Sequence, residues 1–220
     1  MRTAFHKIIF LLLAGCMLCV SCEKGAATDS GNGPGNGQGG SMARFTVVGN
    51  YLYMVSSWDI TVVEISNPAN PVHKGMVYAG MAIETIFAYK NKLFLGSEQG
   101  LYIFSLKDPE KPVMEGHVIH ARACDPVVSN DSVSYVTLRS FGTSCGSARS
   151  VLNVYNVKNP QSPTLVKDIS MNAPHGLGLY NNTLYVCDGS YGLVTYDVTD
   201  GFNPVKVSEY KQDYFLDVIP

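Results

Sequence analysis

The sequence has no surplus of positive charge: 16 Lys and Arg stand against 18 Asp and Glu, and only 15% of its residues are charged. Such a chain offers a polyanion nothing to hold, which excludes nucleic acid as a partner. It also lacks a nucleophile elbow, a phosphate-cradling glycine loop and cysteines at zinc spacing, so no catalytic residue, metal or cofactor is named by motif. Its longest apolar stretch, Ile8 to Val20, falls short of the roughly 20 residues that a membrane-spanning helix needs. Residues 23 to 41 are nearly free of large apolar side chains and cannot build a core of their own.

What is present divides the chain into an address, a tether and a body. Residues 1–22, "MRTAFHKIIFLLLAGCMLCVSC", place Arg2 and Lys7 ahead of the apolar stretch, the pattern of an export signal. "LAGC" at Leu13 to Cys16 resembles the bacterial lipobox, in which a cysteine after small residues is lipidated and becomes the new N-terminus. Cys22 competes with Cys16, because the polar "EKGAATDSG" follows it at once; a plain signal peptide or an uncleaved anchor is the third alternative. The resemblance implies an exported bacterial outer-membrane lipoprotein, periplasmic or surface-facing, attached to the membrane through several acyl chains. Residues 23–42 read as a Gly-rich disordered tether, with an r.m.s. span of roughly 20–25 Å.

The body, residues 43–220, repeats. "SNPANP" at 66–71 is echoed by "KDPEKP" at 107–112, and the prolines Pro71, Pro112, Pro163 and Pro204 are spaced by 41, 51 and 41 residues. Two landmarks keep this register. One is "GNYLYMV" (49–55), "KNKLFLG" (90–96), "NDSVSYV" (130–136) and "NNTLYVC" (181–187); the other is "ITVVEIS" (60–66), "LYIFSLK" (101–107), "LNVYNVK" (152–158) and "LVTYDVT" (193–199). Within a unit the apolar period is two and β-branched and aromatic residues dominate, so each unit is expected to hold short strands. In the first unit these are strand A at 45–48, B at 51–56, C at 60–66 and D at 72–78, with the proline motif as the C-to-D turn, where proline's missing N–H costs no ladder bond. Four antiparallel strands in each unit of about 40 residues describe an all-β chain built as a β-propeller. The units run 43–82, 83–122, 123–173 and 174–214, and "YFLDVIP" at 214–220 looks like the first strand of a fifth.

"VVGNYLYMVSSWDITVVEISNPANP" and "LYNNTLYVCDGSYGLVTYDVTDGFNP" resemble the LVIVD repeat of bacterial secreted proteins and lipoproteins. The resemblance covers residues 43–220 and implies a propeller, with no general reaction attached. It also implies a ring of about six to eight blades, of which this chain is a truncated piece. Strand C departs from the family's name in every unit, as "TVVEI", "YIFSL", "NVYNV" and "VTYDV".

Blade topology gathers the starts of strands A and the B-to-C loops on one face of the ring, opposite the prolines. The candidate binding face on that side comprises Trp58, Glu84, Arg122, Asp125, Arg139, His175, Asp188 and Tyr191. The third unit's extra loop, "RSFGTSCGSAR" from Arg139 to Arg149, opens there too, and insertions in repeat proteins gather on a working face. Cys145 in that loop and Cys124 at the start of the same unit are the candidate disulfide, with Cys187 a competing partner or simply a buried thiol. Asp125 and His175 at neighbouring strand-A starts form the one candidate acid–base pair. The expected function is a non-catalytic, lipid-anchored binding scaffold for an unknown protein, peptide or glycan, with a hydrolase- or lyase-like enzyme using Asp125 and His175, or a purely structural envelope component, as alternatives.

Overall fold

The computed structural model describes residues 39–120, 126–140 and 149–220, all within the unit Pro34–Pro220. Among the described residues, sixteen strands form four antiparallel sheets of four, each in sequence order from its first strand to its last. Blade one is β1 (Phe45–Val48), β2 (Tyr51–Val55), β3 (Asp59–Glu64) and β4 (Val72–Tyr78). Blade two is β5 (Ile83–Tyr89), β6 (Lys92–Ser97), β7 (Gly100–Ser105) and β8 (Val113–Ile119). Blade three is β9 (Val127–Ser129), β10 (Val133–Leu138), β11 (Val151–Asn156) and β12 (Thr164–Ser170). Blade four is β13 (Leu177–Tyr180), β14 (Thr183–Cys187), β15 (Leu193–Asp197) and β16 (Val205–Tyr210).

The chain is thus a four-bladed stretch of β-propeller. Strand residues alternate between the two faces of a sheet, and in a propeller both faces meet a neighbouring blade. That is why β10, "VSYVTL", is buried along its whole length. One core joins Phe94, Leu101 and Ile103 of blade two to blades three and four; a second joins blade one to Ile86, Leu93 and Leu95 of blade two. The innermost strands pack in series, β1 on β5, β5 on β9 and β9 on β13. No comparable packing joins β13 to β1 among the described residues.

The proline turns are a fourfold-repeated device. Asn67, Asp108, Asn159 and Asp200 each turn a side-chain oxygen onto the amide two residues on, those of Ala69, Glu110, Gln161 and Phe202, at 3.0–3.2 Å. Each also accepts through its carbonyl from the residue three on, at 2.9–3.1 Å. A short polar side chain that mimics the backbone is what an Asx turn requires. These turns also tie the blades together: the Tyr53 hydroxyl donates to the Pro109 carbonyl of the next blade, and Tyr135 to that of Gly201, both at 2.8 Å. Each bond should contribute about 1 kcal/mol, and sites this far apart should add. Tyr53→Phe and Tyr135→Phe are therefore expected to cost about 1 kcal/mol each and about 2 together, measured by urea unfolding.

Strand pairing moves one landmark. Tyr53 stands opposite Val62 and Tyr135 opposite Val154, each just ahead of a bulge. Tyr135, not Ser134, therefore occupies the Tyr53 position, and the third landmark begins one residue later than the sequence spacing suggests. Residues 39–42, read as the end of the tether, belong to the folded body: Ser41 is 1% exposed, and its hydroxyl accepts from the Leu177 amide at 2.7 Å while donating to Asp217 at 3.0 Å. The rest of the tether lies outside the described residues. Residues 214–220 run beside β13, with the Leu216 carbonyl on the Gly176 amide at 2.7 Å and Val218 and Pro220 against Gly178. There they make a single bridge, Phe215 to Gly189, rather than a strand.

Candidate functional site

Two ends of the blade stack carry chemistry. On the face favoured by sequence, Arg122, Cys124, Asp125 and Cys145 lie outside the described residues, as do Cys16 and Cys22. Trp58 and Tyr191 are each half exposed in B-to-C loops, 50% in both cases, and Glu84 sits half-buried in β5 at a bulge. Arg139, His175 and Asp188 converge.

His175 lies just before β13 and is 6% exposed. Its amide donates to the Cys187 carbonyl at 2.7 Å and its carbonyl accepts from the Thr137 hydroxyl at 2.5 Å, so its backbone is clamped between blades three and four. The Arg139 Nη1 sits 2.5 and 2.6 Å from the two ring nitrogens, and Tyr214 brings its hydroxyl to 3.2 Å from Nε2. Burial, and then the Arg139 charge, push the His175 pKa below its ordinary value, against an opposing pull from Asp188. Asp188 is itself 2% exposed and faces inward, accepting from the Ala173 amide at 2.7 Å and from the Asn172 amide and side chain. Arg139 Nε is buried with no hydrogen-bond partner among the described residues. Cys187, at the end of β14, is a buried free thiol whose pKa burial pushes up to about 12. No group of three or more His, Cys, Asp or Glu side chains that could hold a metal occurs among the described residues.

This arrangement has a pH signature. A histidine whose folded pKa is lowered takes up its proton more readily in the unfolded chain, so stability falls as pH drops through the unfolded value near 6.5. Stability is therefore expected to decline as the pH is lowered from about 7.5 to about 5.5. His175→Gln should remove most of that slope, and guanidinium unfolding at half-unit pH steps would read it.

At the other end, where the A-to-B turns and the proline turns lie, a cavity of about 500 Å³ opens between the innermost strands. Every blade lines it: Thr46 and Val47 from β1, Phe87 to Tyr89 from β5, Ser129 from β9 and Leu179 from β13. Lys90, Asn130 and Asn181 form its rim. Lys90 is ion-paired with Asp131 and lies over the Tyr89 ring, so the rim carries little net charge. Lys90 and Asn181 both hold a φ of +52°, as Gly49 holds +59° at the matching position of blade one. That conformation is easy for glycine and unfavourable for a lysine. Sequence reasoning passed over this mouth because its lining alternates with core residues along the same strands, and no motif marks it.

The LVIVD repeat model matches residues 39–78, which are blade one and the segment before it. No curated protein matches the chain. Solved β-propeller structures do: the N-terminal domain of Nup159, at 10% identity and a TM-score of 0.50 over 74% of this chain and 41% of that one. A chain of the S. cerevisiae complex in which a Dbp5 variant is bound to Nup159, a Gle1 variant, IP6 and ADP matches at 10% identity and a TM-score of 0.53, over 81% of this chain and 49% of that one. At such identity the likeness shows the fold alone, and this chain spans less than half the length of either.

Proposed function

We propose that this chain, with its LVIVD repeat, is a non-catalytic binding scaffold, exported and held to a membrane by a lipid on Cys16 or Cys22. The observation that carries the reading is the cavity lined by one strand from each of four blades, a concave site with polar groups converging on it. The lipid rests on the sequence of residues 1–22. Binding to a partner agrees with the similar propeller structure in which Nup159 is bound to Dbp5. The enzymatic alternative needs a histidine free to exchange protons with a substrate, whereas His175 is buried and held by Arg139 and Tyr214.

The test is a thermal-shift screen of the full chain against protein, glycan and small-molecule fractions of a bacterial envelope extract. A ligand at 100 times its Kd adds about 2.7 kcal/mol, which for a domain of this size is a shift of roughly 5–10 °C. At least one fraction is expected to raise the melting temperature of the wild type and not that of Asn181→Trp, which roofs the mouth. The reading fails if no fraction does so, or if the protein chemically converts the ligand it binds.

A further inference from the structure

The ligand's chemical class can be argued from the backbone that faces the mouth. Each innermost strand is an edge of its sheet, so only alternate residues direct their N–H and C=O toward the next strand, and the rest direct them into the channel. In β5 the residues bonded to β6 are in phase with Tyr89, opposite Lys92 across a two-residue turn, which leaves Ile86 and Ala88 facing the channel. In β13 the same count from Tyr180, opposite Thr183, leaves Leu177 and Leu179. Two bonds confirm the phase: the Ile86 amide donates across the channel side to the Ala43 carbonyl at 2.9 Å, and the Leu177 amide to Ser41 Oγ at 2.7 Å. In β1, Val48 pairs with Tyr51, leaving Val47. In blade three the amides of Thr137 and Asn130 bond to Pro126 and Val133, leaving Ser129.

Val47, Ala88, Ser129 and Leu179 are thus one residue per blade, at one level, and all four line the cavity. At the inner end of the channel the segment before β1 uses the corresponding groups of Ile86 and Leu177. At the mouth each of the four peptides offers a donor beside an acceptor. An anion would meet four carbonyls, and a cation four amides; a hydroxyl group both donates and accepts and suits each of them. Half-buried apolar carbon from Val47, Ala88 and Leu179 stands between these peptides, which matches the C–H faces of a sugar ring. Lys90, the one cation of the lining, is neutralised by Asp131.

We propose that the channel mouth binds a neutral carbohydrate, held by the channel-facing peptides of Val47, Ala88, Ser129 and Leu179 together with Thr46 and the rim amide of Asn181. The inference rests on the scaffold reading above and specifies its ligand. Asn181 holds a left-handed conformation, φ +52°, that asparagine tolerates and glycine adopts freely, so Asn181→Gly removes the side-chain amide without straining the turn.

Isothermal titration of the full chain with cellotriose, maltotriose and chitotriose tests it. At least one is expected to bind, with an affinity unchanged between about 0.05 and 0.5 M salt because no ion pair is formed. The affinity should fall at least tenfold in Thr46→Val and in Asn181→Gly, while the Asn181→Gly melting temperature stays level or rises. If either variant fails to fold, the other and the salt series decide. Heat from none of the three sugars, equal affinity in the folded variants, or a steep salt dependence overturns the proposal. An envelope protein fraction that stabilises the chain while all three sugars fail would overturn the carbohydrate and leave the scaffold standing.

Discussion

Gly116→Ala is expected to be among the most damaging single-methyl changes in the chain, at about 3 kcal/mol or more. Gly116 lies in β8 and pairs with Ile103 just before the bulge of blade two. A Cβ built there meets the Pro160 carbonyl oxygen at 2.2 Å and the Gln161 backbone at 2.9 and 3.0 Å. Those atoms belong to the Asx turn of blade three, which is tied down by its own hydrogen bonds and cannot swing aside as a flexible side chain could. Relief therefore requires blades two and three to separate, which opens the core they share through Phe94, Ile103 and Tyr135. At about 2–4 °C per kcal/mol for a domain of this size, the melting temperature should fall by roughly 6–12 °C. Gly49→Ala gives the contrast, because a Cβ there meets nothing within 4 Å, and only its left-handed backbone resists the change, at about 1 kcal/mol. Differential scanning calorimetry of both variants checks the prediction, and equal shifts would refute the close approach.

The blades were legible because their two signals are local. Alternation as in "ITVVEI" reports a sheet face, and the Asn or Asp of each C-to-D turn reports a backbone mimic that needs no distant partner. The one-residue slip at "NDSVSYV" shows where local reading stops, since Ser134 and Tyr135 differ only in which stands opposite Val154, a fact of pairing rather than composition. Ser41 escaped for the same reason: its glycine-rich surroundings have the composition of a linker, and its burial depends on Leu177 and Asp217, more than a hundred residues away. The channel mouth was hidden more deeply, because its peptides at Val47, Ala88, Ser129 and Leu179 act through backbone groups that any residue supplies. The face that sequence did mark shows the converse limit. Arg139, His175 and Asp188 were placed on one side of the ring by topology alone, but that they are mostly turned inward toward one another is visible only in their contacts.

Asp188 makes that distinction measurable. Its carboxylate accepts from the Ala173 amide at 2.7 Å, from the Asn172 side chain at 2.9 Å and from the Asn172 amide at 3.2 Å, so one buried anion holds the strand-A approach of blade four against its B-to-C loop. Truncation to alanine would leave the Ala173 amide without its acceptor inside the fold, and hydrogen bonds to a charged group contribute about 1.5–3 kcal/mol each before that loss is counted. Asp188→Ala is therefore expected to destabilise by about 3 kcal/mol, lowering the melting temperature by roughly 6–12 °C. Asp188→Asn keeps one acceptor oxygen in place and should cost about 1 kcal/mol. The alanine variant should also lower the His175 pKa further, because the opposing pull of the carboxylate is removed, and an NMR titration of the imidazole would follow it. A loss of less than about 1 kcal/mol in Asp188→Ala would mean that the carboxylate is not a clamp. Its inward bonds would then be incidental, and a role in ligand contact at this end of the ring would become the better account of why a charge is buried there.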